Sequence, residues 1–260
     1  MTSALPTIGA LWTREVRKFV RERSRIIGAL VQPLAFWLLL GLGFGGTFQM
    51  PAGSSTADVD YLAYLFPGIL TLVALFTAIF STIYVVDERQ SGFLQAALVS
   101  PAPRWAVTLG SLLGGTSLSV VQGALFLAAA PFAGFALGLS GIVLALVTLG
   151  LLALAFSSLG YVIAWKVSTT RGFHGLMNAV LLPLWFVSGA AFPPGGAPAA
   201  LSWAIRLNPV HYGVETLRAA LYLPDASPID GPSLLQGFGI TLTFALAMLA
   251  WATSVTRRPA

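Results

Sequence analysis

The chain has 260 residues, of which 57% are hydrophobic and only 9% charged, whereas a soluble domain carries about a quarter charged residues. With a mean hydropathy of +0.84, that supply excludes a water-soluble surface, and at roughly 20 residues per crossing it leaves room for six or seven membrane spans but no sizeable soluble domain. The net charge of +5 would suit nucleic acid only if the cations shared a solvated face, but they sit beside apolar runs; with no Cys, neither disulfides nor thiolate metal sites are available, and His174 and His211 are too few and too far apart to suggest a metal cluster.

Residues 1–25 hold Arg14, Arg17, Lys18, Arg21, Arg23 and Arg25. Ile8, Leu11, Trp12, Glu15, Phe19 and Arg23 alternate with helical spacing, so the segment is expected to form an amphipathic helix lying flat on an anionic leaflet. The alternative, a solvated basic tail, would leave Trp12, Val16, Phe19 and Val20 exposed without reason. Apolar runs then follow at Ile26 to Phe48, Tyr61 to Val86, Trp105 to Phe132, Ser140 to Trp165, Phe173 to Phe192 and Ser233 to Val255. The first is longer than a signal-peptide core, and no A-x-A site precedes Pro51, so it reads as a retained span. Gly110, Gly114 and Gly115 allow close helix approach, and Pro67 and Pro183 are expected to kink their helices.

Orientation follows from Lys and Arg, which stay on the cytoplasmic side. An inside N-terminus with six spans puts Arg89, Arg104, Lys166, Arg171, Arg257 and Arg258 inside with the six N-terminal cations, and only Arg206 and Arg218 outside. Twelve against two recurs at every inner connection, and an odd number of spans would break it.

The central parts of these runs hold no Asp, Glu, Lys or Arg, although ion-driven carriers place such groups near the midplane. Gln122 and Asn178 are the least comfortable polar groups there, suited either to interhelical hydrogen bonds or to a substrate path. A nucleotide-binding loop needs Gly-x-x-x-x-Gly-Lys followed by Ser or Thr, and the only lysines, Lys18 and Lys166, lie in no such pattern. The chain is therefore either passive or driven by a partner.

Two connections stand out. In residues 87–104, Asp87 and Glu88 suit the N-terminus of a short helix that Pro101 and Pro103 end, with Phe93, Leu94, Ala97 and Leu98 on one face. That face fits a groove on another protein or folds back on its own bundle. In the long connection 197–232, Asn208 is a helix cap, Pro209 occupies the first turn and Glu215 and Arg218 are an i,i+3 pair. Trp203, Tyr212 and Tyr222 suit an interfacial or re-entrant segment; an ordinary surface helix with a weak ion pair is the alternative.

The basic N-terminal helix, six spans, the run Glu88-Arg89-x-x-Gly92 with Ser100-Pro101 and Arg104, and the run Asn208-Pro209-x-x-Tyr212-x-x-Glu215-x-x-Arg218 together resemble the permease subunit of type-2 ABC exporters. That family includes drug-resistance, lipo-oligosaccharide or nodulation-factor, and O-antigen or teichoic-acid exporters. The resemblance covers nearly the whole chain and implies an all-α, polytopic membrane protein of the cell (plasma or inner) membrane. Its parts are an interface helix at 1–25 (Trp12, Glu15, Phe19) and a six-span domain at 26–260 with an exoplasmic re-entrant segment (Asn208, Pro209, Tyr212, Glu215, Arg218). It further implies a dimer of permeases on two cytoplasmic ATPase subunits that carry the ATP and Mg, with no catalytic residue, cofactor or metal in this chain. Glu88, Arg89, Gly92, Phe93, Leu94, Leu98, Pro101 and Arg104 would couple to the ATPase. The short Gln49 to Asp60 connection excludes the large extracellular domain of some relatives. The implied cargo is amphipathic, hydrophobic or lipid-linked and moves outward, with the Asn208 to Tyr222 run most like the drug-resistance branch. The rival readings are a channel or secondary carrier without an ATPase, and a membrane-embedded lipid-modifying enzyme using His174, His211, Glu215 or Asp87 and Glu88.

Overall fold

The computed structural model describes residues 4–21, 23–46, 59–92, 103–223 and 231–256. Within them the regular elements are all helical: α1 (Ala4–Arg21), α2 (Arg23–Phe44), α3 (Tyr61–Phe80), α4 (Ile83–Gln90), α5 (Arg104–Leu127), α6 (Leu139–Lys166), α7 (Thr170–Phe186), α8 (Ala199–Leu207), α9 (Pro209–Tyr222) and α10 (Leu234–Val255), with short 3-10 turns at Ala130–Ala133 and Pro194–Gly196. Local chemistry sets several starts. Thr169 accepts from the Gly172 amide at 3.1 Å, Ser233 from Gln236 at 3.3 Å and Asn208 from Val210 at 3.0 Å, each satisfying an amide that the first helical turn leaves unpaired.

α3 is apolar on all sides and buried on all sides, as a helix of that composition must be. α2, α5, α6 and α9 surround it, while α10 packs on α6 at the periphery. Trp37, Phe66 and Phe126 form one aromatic cluster with centroids 5.2 to 6.0 Å apart, and the Trp37 indole N–H donates to the Leu62 carbonyl at 2.9 Å. Leu39, Leu42, Leu139, Leu235 and Leu246 point outward from α2, α6 and α10, forming an apolar girdle whose natural solvent is lipid.

Four helical stretches among the described residues are long and apolar enough to cross a membrane: Tyr61–Gln90, Arg104–Leu127, Leu139–Lys166 and Leu234–Val255. Of the other two runs expected to span, α2 has 22 residues, and its apolar stretch among the described residues is Val31–Phe44. α7 has 17 residues, about 25 Å of rise against a core of about 30 Å. The expected run to Phe192 stops early because the chain turns after Phe186 and passes through Gly189 at φ +78°.

The second run is also interrupted. At Ser81 and Thr82 the side-chain hydroxyls donate to the Ala78 and Ile79 carbonyls, each at 2.6 Å, and the Thr82 amide bonds Ile79 at 2.9 Å, three residues back. These bonds satisfy the carbonyls that the break would otherwise leave unpaired in an apolar interior. Gly115 of α5 and Gly160 of α6 face the two hydroxyls, and a Cβ at either position would collide with them.

α1 is a helix, as expected, and it lies along the first half of α5. A Cβ at Gly110 would sit 2.9 Å from the Leu11 Cβ, and one at Gly114 would collide with Glu15. The spacing of four therefore lets the backbones approach, as small residues do between membrane helices. Trp12 donates to the Ser117 hydroxyl at 3.0 Å. Gly114→Ile is expected to lower stability by about 1–3 kcal/mol through overpacking and to expose α1 to protease. Gly239→Ile, at a position with nothing within 4 Å, should leave the thermal midpoint in detergent unchanged.

Candidate functional site

The sequence-derived residues fall at opposite ends of the bundle. At the basic end, the last turn of α4 carries Asp87, Glu88, Arg89 and Gln90. This corrects the expectation that Asp87 and Glu88 open a helix: they close one, where the helix dipole does not favour them. Tertiary partners hold them there instead. Glu88 Oε1 accepts from Arg14 Nη2 at 2.8 Å and Lys18 Nζ at 2.7 Å. The same two cations reach Glu15 Oε1 at 2.6 and 3.6 Å, and Lys18 lies 4.9 Å from the centre of the Tyr84 ring. Two carboxylates and two cations thus join α1 to α4.

Arg89 points the other way. Its guanidinium donates to the carbonyls of Ala164 (3.3 Å), Trp165 and Val167 (2.9 Å) at the end of α6. Those carbonyls have no helical amide left to accept from, so a forked cation is well suited to them. Gln90 donates to the Ser168 carbonyl at 2.6 Å, and Thr170 donates to Asp87 at 3.0 Å. The end of α4 is therefore held by α1 on one side and by the α6 to α7 turn on the other. Gly92 then turns the chain at φ +77°, a conformation that costs glycine little. Arg104 opens α5. Phe93, Leu94, Leu98 and Pro101, and the Phe19 side chain, lie outside the described residues.

At the opposite end, Asn208 joins three elements. Its side-chain oxygen caps α9, and its Nδ2 donates to the Leu184 and Val187 carbonyls at 2.7 and 2.9 Å, closing the end of α7. Pro209 takes the first position of α9, where its missing N–H costs nothing. His211 Nδ1 lies 2.9 Å from the Ser188 carbonyl, so that nitrogen carries the proton and donates. Tyr212 donates to the Arg206 carbonyl at 3.0 Å across the α8 to α9 turn.

Glu215 and Arg218 pair directly, but in the interior: they are 6% and 1% exposed. The surface-helix alternative therefore does not hold. The guanidinium stacks 4.4 Å from the centre of the Tyr64 ring in α3, and its Nη2 is 3.5 Å from the Tyr64 carbonyl. Tyr64 and Tyr61 in turn donate to the Gly189 and Ala191 carbonyls at 2.8 and 3.0 Å, and Trp185 donates to the Gly68 carbonyl at 2.7 Å. Sequence reasoning missed these three aromatic anchors, which carry no local signal.

Gln122 and Asn178 are not brought together. Gln122 is buried and pairs with Thr77 of α3, whereas Asn178 is exposed on α7. Among the described residues no group of His, Asp and Glu is arranged to hold a metal.

Arg218→Ala strands the Glu215 charge in the interior and should cost about 3–5 kcal/mol, read as a large fall in the unfolding midpoint in detergent. Asn208→Ala, which removes a cap, should cost less, about 1–2 kcal/mol. Glu215→Ala combined with Arg218→Ala should recover part of the Arg218→Ala loss, because no lone charge remains.

A model of the ABC-2 type transporter family matches residues 6–222. The chain is 28% identical over 212 residues to Nodulation protein J of Rhizobium leguminosarum bv. trifolii, an alignment covering 80% of this chain and 79% of that protein. To Nodulation protein J of Rhizobium meliloti (strain 1021) it is 26% identical over 271 residues, covering 98% and 96%. To the transport permease ycf38 of Pyropia yezoensis it is 29% identical over 228 residues, covering 83% and 74%. With its matched segment containing both ends of the site and its helices apolar enough to cross a bilayer, the chain is a multi-pass membrane permease and belongs to the ABC-2 type transporter family.

Proposed function

We propose that the chain is the membrane subunit of an ATP-driven exporter, working as a homodimer on two copies of a separate cytoplasmic ATPase that binds ATP and Mg. In this reading α2, α3 with α4, α5, α6, α7 and α10 cross the cell membrane, both ends of the chain face the cytoplasm, and α8 and α9 re-enter from the outer side. The observation that carries it is the double hold on α4 at the basic end. Glu88 is gripped by α1 and Arg89 by the end of α6, immediately before the 93–102 segment that would dock on the ATPase.

Closure of the ATPase pair on ATP pushes that segment. The push enters α4, and the break at Ser81 and Thr82 lets α4 tilt beneath α3 while its held side chains carry α1 and the α6 to α7 turn along. The outward faces of α2 and α7, where Leu39, Leu42, Leu182 and Phe186 are exposed, meet lipid, cargo or the second protomer. The cargo class that fits such walls is amphipathic, hydrophobic or lipid-linked, because among the described residues Val31–Phe44 of α2 and residues 175–186 of α7 carry no charged side chain to repel an acyl chain or demand a counter-ion.

The test is co-purification. Tagged wild-type chain should retain an untagged ATPase subunit, and Phe93→Asp with Leu94→Asp should reduce the retained ATPase by at least about tenfold by removing the apolar anchors of a helix-in-groove contact. Purified chain that moves cargo uphill in liposomes with no ATPase present would overturn the reading.

A further inference from the structure

α1 has more cationic charge than its contacts with α4 use. Arg14, Arg17, Lys18 and Arg21 recur at three- and four-residue spacing along one edge, around an open groove of about 580 Å³ that Gly9 and Ala10 keep free of bulk. The adjoining edge, through Ile8, Leu11 and Glu15, packs on α5. On the remaining side of the helix, Leu5, Trp12 and Val20 are 79%, 41% and 59% exposed. A helix with one apolar edge facing outward and one cationic edge beside it has the geometry of an interfacial helix, its aliphatic groups in the acyl layer and its cations level with the phosphates.

The four cations are not equivalent. Lys18 and Arg14 are both drawn to Glu88 and Glu15. Arg17 and Arg21 are exposed, and among the described residues no ion pair reaches either. An incoming anion therefore meets two unspent guanidiniums next to an ammonium that is already shared. Lys18, 33% exposed on its side chain, can turn toward either anion.

We propose that the cationic edge of α1 is a binding site for anionic phospholipid headgroups, and that headgroup occupancy competes with Glu88 for Lys18. Arg17 and Arg21 provide the forked donors that fit a phosphate. Lys18 links the site to α4, so the charge of the adjacent leaflet sets how firmly α1 holds α4. The inference needs only the membrane placement of the chain and does not depend on ATP-driven export.

The experiment equilibrates the purified full chain in detergent with equimolar phosphatidylglycerol and phosphatidylcholine, then counts retained lipids by native mass spectrometry. Wild type should prefer phosphatidylglycerol. Arg17→Ala with Arg21→Ala, two exposed positions, should lower that preference by on the order of tenfold while the elution volume in gel filtration stays unchanged. Glu88→Gln should raise the preference by releasing Lys18, a gain that a purely structural role for Glu88 would not produce. Equal retention of the two lipids by wild type, or an unchanged preference in the double variant, would overturn the site; no gain in Glu88→Gln would overturn the competition. Retained lipid preference with loss of a co-purifying protein in the double variant would assign the edge to protein docking and overturn the proposal.

Discussion

Two adjacent side chains on a short helix face opposite ways, and most of the basic end depends on that. Glu88 turns to the cations of α1, while Arg89 turns to the unpaired carbonyls that end α6. Both choices follow from unmet demand. A carboxylate in the last turn of a helix is disfavoured by the dipole unless a cation answers it, and a helix that ends near an apolar layer has carbonyls that water does not reach freely. The chemistry that stabilises each partner also fixes α4 between them, so a displacement of α4 is shared with its neighbours.

The opposite end solves a different problem. α9 brings a charged pair into the interior, where an isolated charge is costly, and offsets it by pairing Glu215 with Arg218 and stacking Arg218 on Tyr64. The turn after α7 is pinned to α3 by the hydroxyls of Tyr61 and Tyr64, and the last turn of α7 by the indole of Trp185. Gly68 makes this possible, since a Cβ there would lie 2.7 Å from the Ala190 Cβ. One end of the permease is thus held by a part-buried charge cluster together with the bonds of Arg89 to carbonyls, and the other by a buried ion pair and buried aromatic donors.

What was legible in the sequence depended on range. Asn208 and Pro209 start α9 as local rules require, and the i,i+3 spacing of Glu215 and Arg218 correctly paired them. Their burial was not legible, because it rests on Tyr64, 154 positions from Arg218. Asp87 and Glu88 were misplaced for the same reason: read as dipole partners at a helix start, they close α4, and Glu88 answers Lys18 from 70 positions away. The apolar runs located the long helices, but composition alone did not register that hydroxyl bonding at Ser81 and Thr82 would split one run, or that the turn through Gly189 would shorten another. Gln122 pairs with Thr77 across two helices, while Asn178 sits on an exposed face of α7.

In the proposed mechanism α4 passes mechanical work to the bundle through Arg89 rather than serving only as a tether. In liposomes holding the permease with its ATPase, cargo moved per ATP hydrolysed should be measured for wild type and Arg89→Lys, which keeps the charge but cannot fork across three carbonyls. The expected result is continued ATP hydrolysis with transport per ATP reduced at least about tenfold, the sign of a motor turning against a slack linkage. An unchanged ratio, with transport and hydrolysis intact or falling together, would contradict it.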